Sequence, residues 1–193
     1  MNLELMSERT KLTPLSLNDI DLSLEMFTDP EVIEFIGGLM SAEEIHEGME
    51  TWIKRGGDGC IGIWCISNLH TGEKYGNCYL LPLPIDDDDT DWDLVKPEVI
   101  PDGEIEVGYF LKHSCWGKGI ATEVCRRLLK FAFEETSLVE LVATIDDKNH
   151  QSRKVLEKSG FIYKGRIWAY AEDSPAYRIN RQQWLELSKD KLG

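Results

Sequence analysis

The chain has 193 residues, 42% of them hydrophobic, and a net charge of −14 from 21 Lys and Arg against 35 Asp and Glu. Against a typical domain of about 150 residues this reads as one domain spanning 1–193 with room for an insertion, and the apolar content excludes overall disorder. So acidic a surface repels phosphate backbones and attracts cations, so nucleic acid is not expected as a partner.

Cys60, Cys65, Cys78, Cys115 and Cys125 form an odd set with no CxxC pair and sit in apolar stretches. They read as free thiols in a reducing compartment, with no zinc site. The opening MNLELMSER carries Glu4 and no basic region followed by an apolar run, so it does not read as a signal peptide. No stretch reaches the roughly 18 apolar residues of a membrane helix, and the expectation is a cytoplasmic protein without a membrane partner.

Arg9 to Leu15 alternates weakly as a strand, and Asn18 and Asp19 offer caps for a helix carrying Ile20, Leu22, Met26 and Phe27. Asp29-Pro30 predicts a second helix ending by Gly37-Gly38. Ser41 followed by Glu44 is a capping-box pattern, with Ile45, Met49, Trp52 and Ile53 at helical spacing behind it. Residues 60–68 and 75–83, joined by HTGEK, predict an antiparallel hairpin, and 104–111 (EIEVGYFL) a third strand. Between them lies 85–103, with six aspartates at 86, 87, 88, 89, 91 and 93 together with Pro97 and Pro101, and it reads as an acidic surface excursion too charged to pack.

After Gly119 the apolar period becomes 3.6, with Ala121, Val124, Cys125, Leu128, Leu129 and Ala132 on one helix face. A buried strand over 138–145 follows, then a helix over 149–159 that Asn149 caps and Gly160 ends, then strands near 161–170 and 175–181. The order predicts an α/β (mixed α+β) fold, a mixed sheet with helices on both faces.

Gly117 and Gly119 precede the helix with the clearest period. Such a turn points consecutive backbone N–H groups outward at a helix N-terminus, where a diphosphate binds; the alternative is a tight strand-to-helix turn and nothing more. A dinucleotide fingerprint fails because Thr122 holds the third glycine position, and a Walker loop fails because Gly119 follows Lys118.

WGKGIA at 116–121, EVGYFL at 106–111, NHQSRKVLEKSGF at 149–161 and YRINRQQW at 177–184 together resemble the GNAT acetyltransferases, in their RimJ/RimL-like branch. The resemblance implies a mostly antiparallel sheet in which 104–111 and 138–145 form a parallel, splayed pair. Acetyl-CoA would lie in that opening as co-substrate. Its pantetheine would pair with the backbone near Phe110 and Leu111, and its diphosphate would sit on the N–H groups from Gly117 through Lys118, Gly119 and Ile120 to Ala121, beside Trp116. Asn149 would contact the cofactor and Ser152 would lie near its sulfur. Leu156 stands where many family members carry a tyrosine acid, so Ser152 becomes the acid candidate, although both Asn149 and Ser152 also suit a plain helix first turn.

Alternation places Glu104 and Glu106 on one strand face, about 7 Å apart, where mutual repulsion and desolvation would raise a pKa and make a base for an ammonium acceptor. Glu106 holds the family's glutamate position, and Glu104 is the second candidate. Solvated strand glutamates are the competing reading. Trp52, Trp64, Trp168 and Tyr170 are candidates for an acceptor pocket, with core packing as the alternative. The expected activity is acetyl transfer to a primary amine, either of a small cationic molecule or of a protein N-terminus. A non-catalytic acyl-CoA-binding regulator or interaction protein is the alternative, and a homodimer stays open.

Overall fold

The computed structural model describes residues 2–189. β1 (Leu5–Met6) and β2 (Thr10–Pro14) form an edge hairpin in which Leu5 and Leu12 pair and are fully buried. β3 (Gly62–Asn68) and β4 (Lys74–Pro82) form the expected antiparallel hairpin, followed by β5 (Ile105–Leu111). Along β3 the side chains alternate between two cores. Trp64 and Ile66 join one, and Cys65 joins the other.

β6 (Glu140–Thr144), β7 (Ile162–Ala169) and β8 (Glu172–Asn180) complete an eight-stranded sheet in the order β1-β2-β3-β4-β5-β6-β8-β7. Every pairing is antiparallel except β5 with β6, which run parallel and meet in register only at Glu106 and Val142. Beyond that pair the two strands diverge toward their C-terminal ends. The architecture is the one the resemblance implies, a mixed α/β arrangement of mostly antiparallel strands with one splayed parallel pair.

α1 (Ile20–Phe27) and α2 (Ala42–Trp52) bury Leu22, Met26 and Met49 against one sheet face, and the Ser41–Glu44 capping box starts α2 as its sequence predicts. α3 (Ile120–Lys130) buries Val124, Cys125, Leu128 and Leu129 in the opposite core and runs on into one π-helical turn at Phe131–Glu135. α4 (His150–Ser159) begins at the Asn149 cap and ends at Gly160, which is in the left-handed region at φ +101°. All five cysteines are free and buried, and burial pushes the Cys65 thiol up to about 12 and the Cys125 thiol up to about 11.

Two expectations are corrected here. Residues 29–36 make separate turns and no helix, with Val32 and Ile33 buried. Two adjacent β-branched residues stiffen a segment that Gly37-Gly38 stops after two turns, too short to offset helix nucleation. The acidic excursion is anchored as well as exposed. Its aspartates face solvent, but Thr90 and Val95 are buried, Thr90 Oγ1 donates to the Pro82 carbonyl (2.6 Å), and Gly57 N–H donates to the Lys96 carbonyl (3.0 Å). Two elements were not anticipated: the two-residue β1 and α5 (Arg181–Lys189), whose Trp184 indole donates to Glu134 (2.9 Å).

Candidate active site

β5 ends at Leu111, a short 3-10 turn buries Cys115, and the chain then passes through Gly117 (φ +71°) and Gly119 (φ +78°) into α3. A Cβ on Gly117 would meet nothing within 4 Å, and one on Gly119 only Arg9 Nη2 at 3.6 Å. Backbone conformation and outside access, rather than internal packing, therefore account for these glycines. Alternating positive φ values turn successive amides the same way, and the N–H groups of 117–122 donate to no acceptor among the described residues.

The turn is held from behind. Arg9 Nη1 donates to the Lys118 carbonyl (3.0 Å) and Arg9 Nε to Glu123 Oε2 (2.7 Å), while Ser7 Oγ donates to Glu123 Oε1 (2.6 Å). Partial burial opposes ionisation of Glu123, but the bonds from Ser7 and Arg9 prevail and hold it below the usual carboxylate range. The Trp116 indole donates to the Leu111 carbonyl (2.8 Å) with its ring against His113, so this residue clamps the loop to β5.

The β4–β5 ladder runs without a register break, so β5 has no bulge. Bonds from Leu83 N–H to the Glu104 carbonyl and from Lys112 N–H to the Tyr75 carbonyl bracket it. Antiparallel alternation then directs the amides of 104, 106, 108 and 110 to β4, and those of Val107, Tyr109 and Leu111 toward β6. Because β6 pairs only at Glu106, the Tyr109 amide and the Leu111 N–H face the splay. Of the backbone near Phe110 and Leu111, the Phe110 amide therefore faces β4, whereas those of Tyr109 and Leu111 are turned to the splay.

Glu106 is 2% exposed and sits among four donors. Thr144 N–H (3.1 Å) and Oγ1 (2.7 Å) donate to Oε1, and the hydroxyls of Tyr79 (3.2 Å) and Tyr170 (2.5 Å) donate to Oε2. Desolvation raises its pKa above the ordinary carboxylate value against the opposing effect of those bonds, led by Thr144. A Cβ on Gly108 would lie 2.0 Å from Tyr79 Cζ, so this glycine leaves room for the tyrosine to cross β5. Tyr170 (φ +56°) and Ala171 (φ +54°) form the β7–β8 turn, whose amides donate to the carbonyls of Pro84 (3.2 Å) and Ile85 (2.9 Å).

Glu104 is not part of this cluster. It lies at the closed end of the β5–β6 pair, exposed, and pairs with Arg178, which also binds Glu140 (3.1 Å). The expected repulsion between two carboxylates is corrected accordingly, since burial and not Glu104 raises Glu106. Glu104→Gln is expected to leave kcat within about twofold, because an exposed ion pair contributes little. Steady-state thiol release checks this, and a loss as large as that of a Glu106 variant would return Glu104 to the site.

Asn149 Oδ1 accepts from Ser152 N–H (3.0 Å), so its oxygen caps α4, and its amide nitrogen has no partner among the described residues. The half-buried Ser152 hydroxyl has no partner among the described residues. Leu156 is core, but Tyr109, which the sequence reading passed over, brings a hydroxyl from β5 to the Ser152 carbonyl (3.4 Å). On the α1–α2 face, Trp52, Phe27, Phe110 and Tyr79 form a row with ring centroids 5.3, 6.2 and 5.5 Å apart. Of the other candidate aromatics, Trp64 is fully buried under Arg55, and Trp168 binds Asp86 (3.0 Å).

The profile of the acetyltransferase (GNAT) domain matches residues 9–162. FsC-acetyl coenzyme A-N(2)-transacetylase of Aspergillus fumigatus is 24% identical over 95% of this chain and 79% of its own length. The uncharacterized N-acetyltransferase p20 of Bacillus licheniformis is 24% identical over 86% of each chain. Among solved structures, aminoglycoside acetyltransferase AAC(6')-Ib in complex with coenzyme A and kanamycin superposes with a TM-score of 0.71 at 15% identity, covering 93% of this chain and 99% of that one.

Proposed function

The chain belongs to the GNAT acetyltransferase family, with acetyl-CoA as its acetyl donor, and on that premise we propose that it acetylates a cationic primary amine by direct transfer. The observation that carries this reading is the pairing of two features across one splay: the unpartnered amides of 117–122 and, on the acceptor side, a buried carboxylate beside an aromatic row. The residues present fit the donor. The Gly117–Ala121 amides suit a diphosphate at a helix N-terminus, the Tyr109 amide and Leu111 N–H suit an extended pantetheine, and the Asn149 amide nitrogen adds a donor.

Acetyl-CoA supplies an acyl carbon activated by its thioester. Glu106 takes up the proton that the acceptor ammonium must lose, with its raised pKa bringing the carboxylate closer to neutral range. The Leu111 N–H stabilises the negative charge that develops on the carbonyl oxygen. Ser152, whose hydroxyl has no partner among the described residues, passes its proton to the departing sulfur and takes up in its place the second proton that the acylated nitrogen sheds. The absence of a tyrosine at 156 is the one sequence feature favouring a non-catalytic reading, and it weakens because the Tyr109 hydroxyl reaches the same turn of α4. The RimJ/RimL-like branch is proposed on WGKG at 116–119 and NHQSRKVLEKSGF at 149–161.

A cationic acceptor follows from the net charge of −14, the aromatic row that attracts ammonium groups, and Glu106 behind it. The amine of a small polyvalent cation or a basic N-terminal segment satisfies this chemistry. Exposed charges are screened over about 8 Å at physiological salt, so kcat/KM for a cationic amine is expected to exceed that for a matched neutral amine at low salt and to fall as salt rises. Equal values with no salt trend would overturn the assignment of acceptor charge.

A further inference from the structure

Glu106 cannot meet an acceptor as it stands. A carboxylate has about four lone-pair sites, and all of them are engaged by Thr144, Tyr79 and Tyr170 on a side chain that is 2% exposed. A proton bound for Glu106 must come through one of the groups already bonded to it.

We propose that the Tyr170 hydroxyl contacts the acceptor amine and relays its proton to Glu106, a step that rests on Glu106 being the base. Tyr170 makes the shorter of the two phenol bonds, at 2.5 Å against 3.2 Å for Tyr79. The Tyr79 ring is wedged across Gly108 and against Phe110, whereas Tyr170 stands at the tip of a hairpin. That tip is conformationally costly. Two-residue hairpin turns with positive φ at both positions ordinarily use Asn-Gly or Gly pairs, and side chains of this size there are strained. The strain is retained where backbone bonds to Pro84 and Ile85 fix the turn at the root of the acidic segment, and the result is a phenol aimed at Glu106. Burial also keeps the phenol neutral, so it donates to Glu106 while its oxygen accepts from the amine.

In the relay an N–H bond of the ammonium breaks and its proton bonds to Tyr170 Oη as the Tyr170 O–H proton moves to Glu106 Oε2. Nitrogen keeps its electron pair for attack on the acyl carbon. Tyr170 ends unchanged and Glu106 ends as the neutral acid.

The test follows thiol release from acetyl-CoA in wild type, Tyr170→Phe, Tyr79→Phe and Glu106→Gln, with 1,4-diaminobutane, an ammonium at assay pH, and with an O-alkylhydroxylamine, which is already neutral. Melting temperature and CoA affinity establish folding and donor binding. With the diamine, Tyr170→Phe is expected to lose on the order of 10² in kcat, the size of a general-base contribution, and to lose less than about tenfold with the neutral amine. Tyr79→Phe is expected to lose less than Tyr170→Phe. Full activity of Tyr170→Phe beside an inactive Glu106→Gln overturns the relay and leaves the base standing, whereas full activity of Glu106→Gln overturns the base. Equal losses of Tyr170→Phe on both amines, or a larger loss in Tyr79→Phe, also overturn the relay. Absence of thiol release by the wild type with both amines overturns the small polyvalent cation as acceptor, and with it the relay to such an amine.

Discussion

Glu106→Gln is expected to reduce turnover by on the order of 10², the lower range for removal of a general base, while CoA affinity stays near that of the wild type. The diphosphate and pantetheine contacts proposed for the donor come from 109–111 and 117–121, on backbone groups the substitution does not touch. Stability should move the other way. Burial raises the Glu106 pKa, so its contribution to folding is present in full below the unfolded carboxylate value and is lost as pH rises through the higher folded value. At neutral pH the wild type therefore holds a desolvated carboxylate that Gln lacks. The melting temperature of Glu106→Gln relative to wild type is expected to rise from acidic to neutral pH, and the acidic limb of the kcat/KM profile to flatten. Turnover that survives with its pH dependence intact would make Glu106 a structural carboxylate linking β4, β5, β6 and the β7–β8 turn.

The parts of this site that were legible in the sequence are those confined to one segment. WGKGIA places both glycines and the following helix within a few residues, and Asn149 with Ser152 is a single helix turn, so motif and local physics report them together. The surroundings of Glu106 are a different matter. Tyr79, Thr144 and Tyr170 lie 27, 38 and 64 residues from it in the chain and meet it only through strand registers and a hairpin turn. Arg9 reaches Glu123 across 114 residues for the same reason, and Glu104 turns from catalytic candidate to ion-pair partner because β8 lies beside β6 and presents Arg178. The fold divides likewise. The hairpin over 62–82 and the apolar stripe of α3 carry their own periodicity, whereas β1 is two residues long and α5, among the described residues, buries only Trp184, leaving neither a period to read.

Gly119→Val is expected to weaken CoA binding at least tenfold, about 1.4 kcal/mol, with the protein still folded. Space is not the obstacle, since only Arg9 Nη2 lies within 4 Å of a Cβ at this position. The obstacle is φ +78°, which a β-branched residue tolerates at a cost of about 1–3 kcal/mol. Relief of that strain rotates the peptide units on either side, and rotation swings the amides of 118–120 out of the common direction that makes the turn an anion site. Any conformer that keeps the direction instead places an isopropyl group where the diphosphate must approach, so both outcomes reduce affinity. Gly119→Ala, with a Cβ but no branch, separates the two causes: a loss nearly as large as that of Val assigns the effect to backbone rotation, and a much smaller one to crowding of the ligand. Titration of CoA against the folded variants decides the matter, and an unchanged dissociation constant for Gly119→Val would remove the diphosphate from the start of α3.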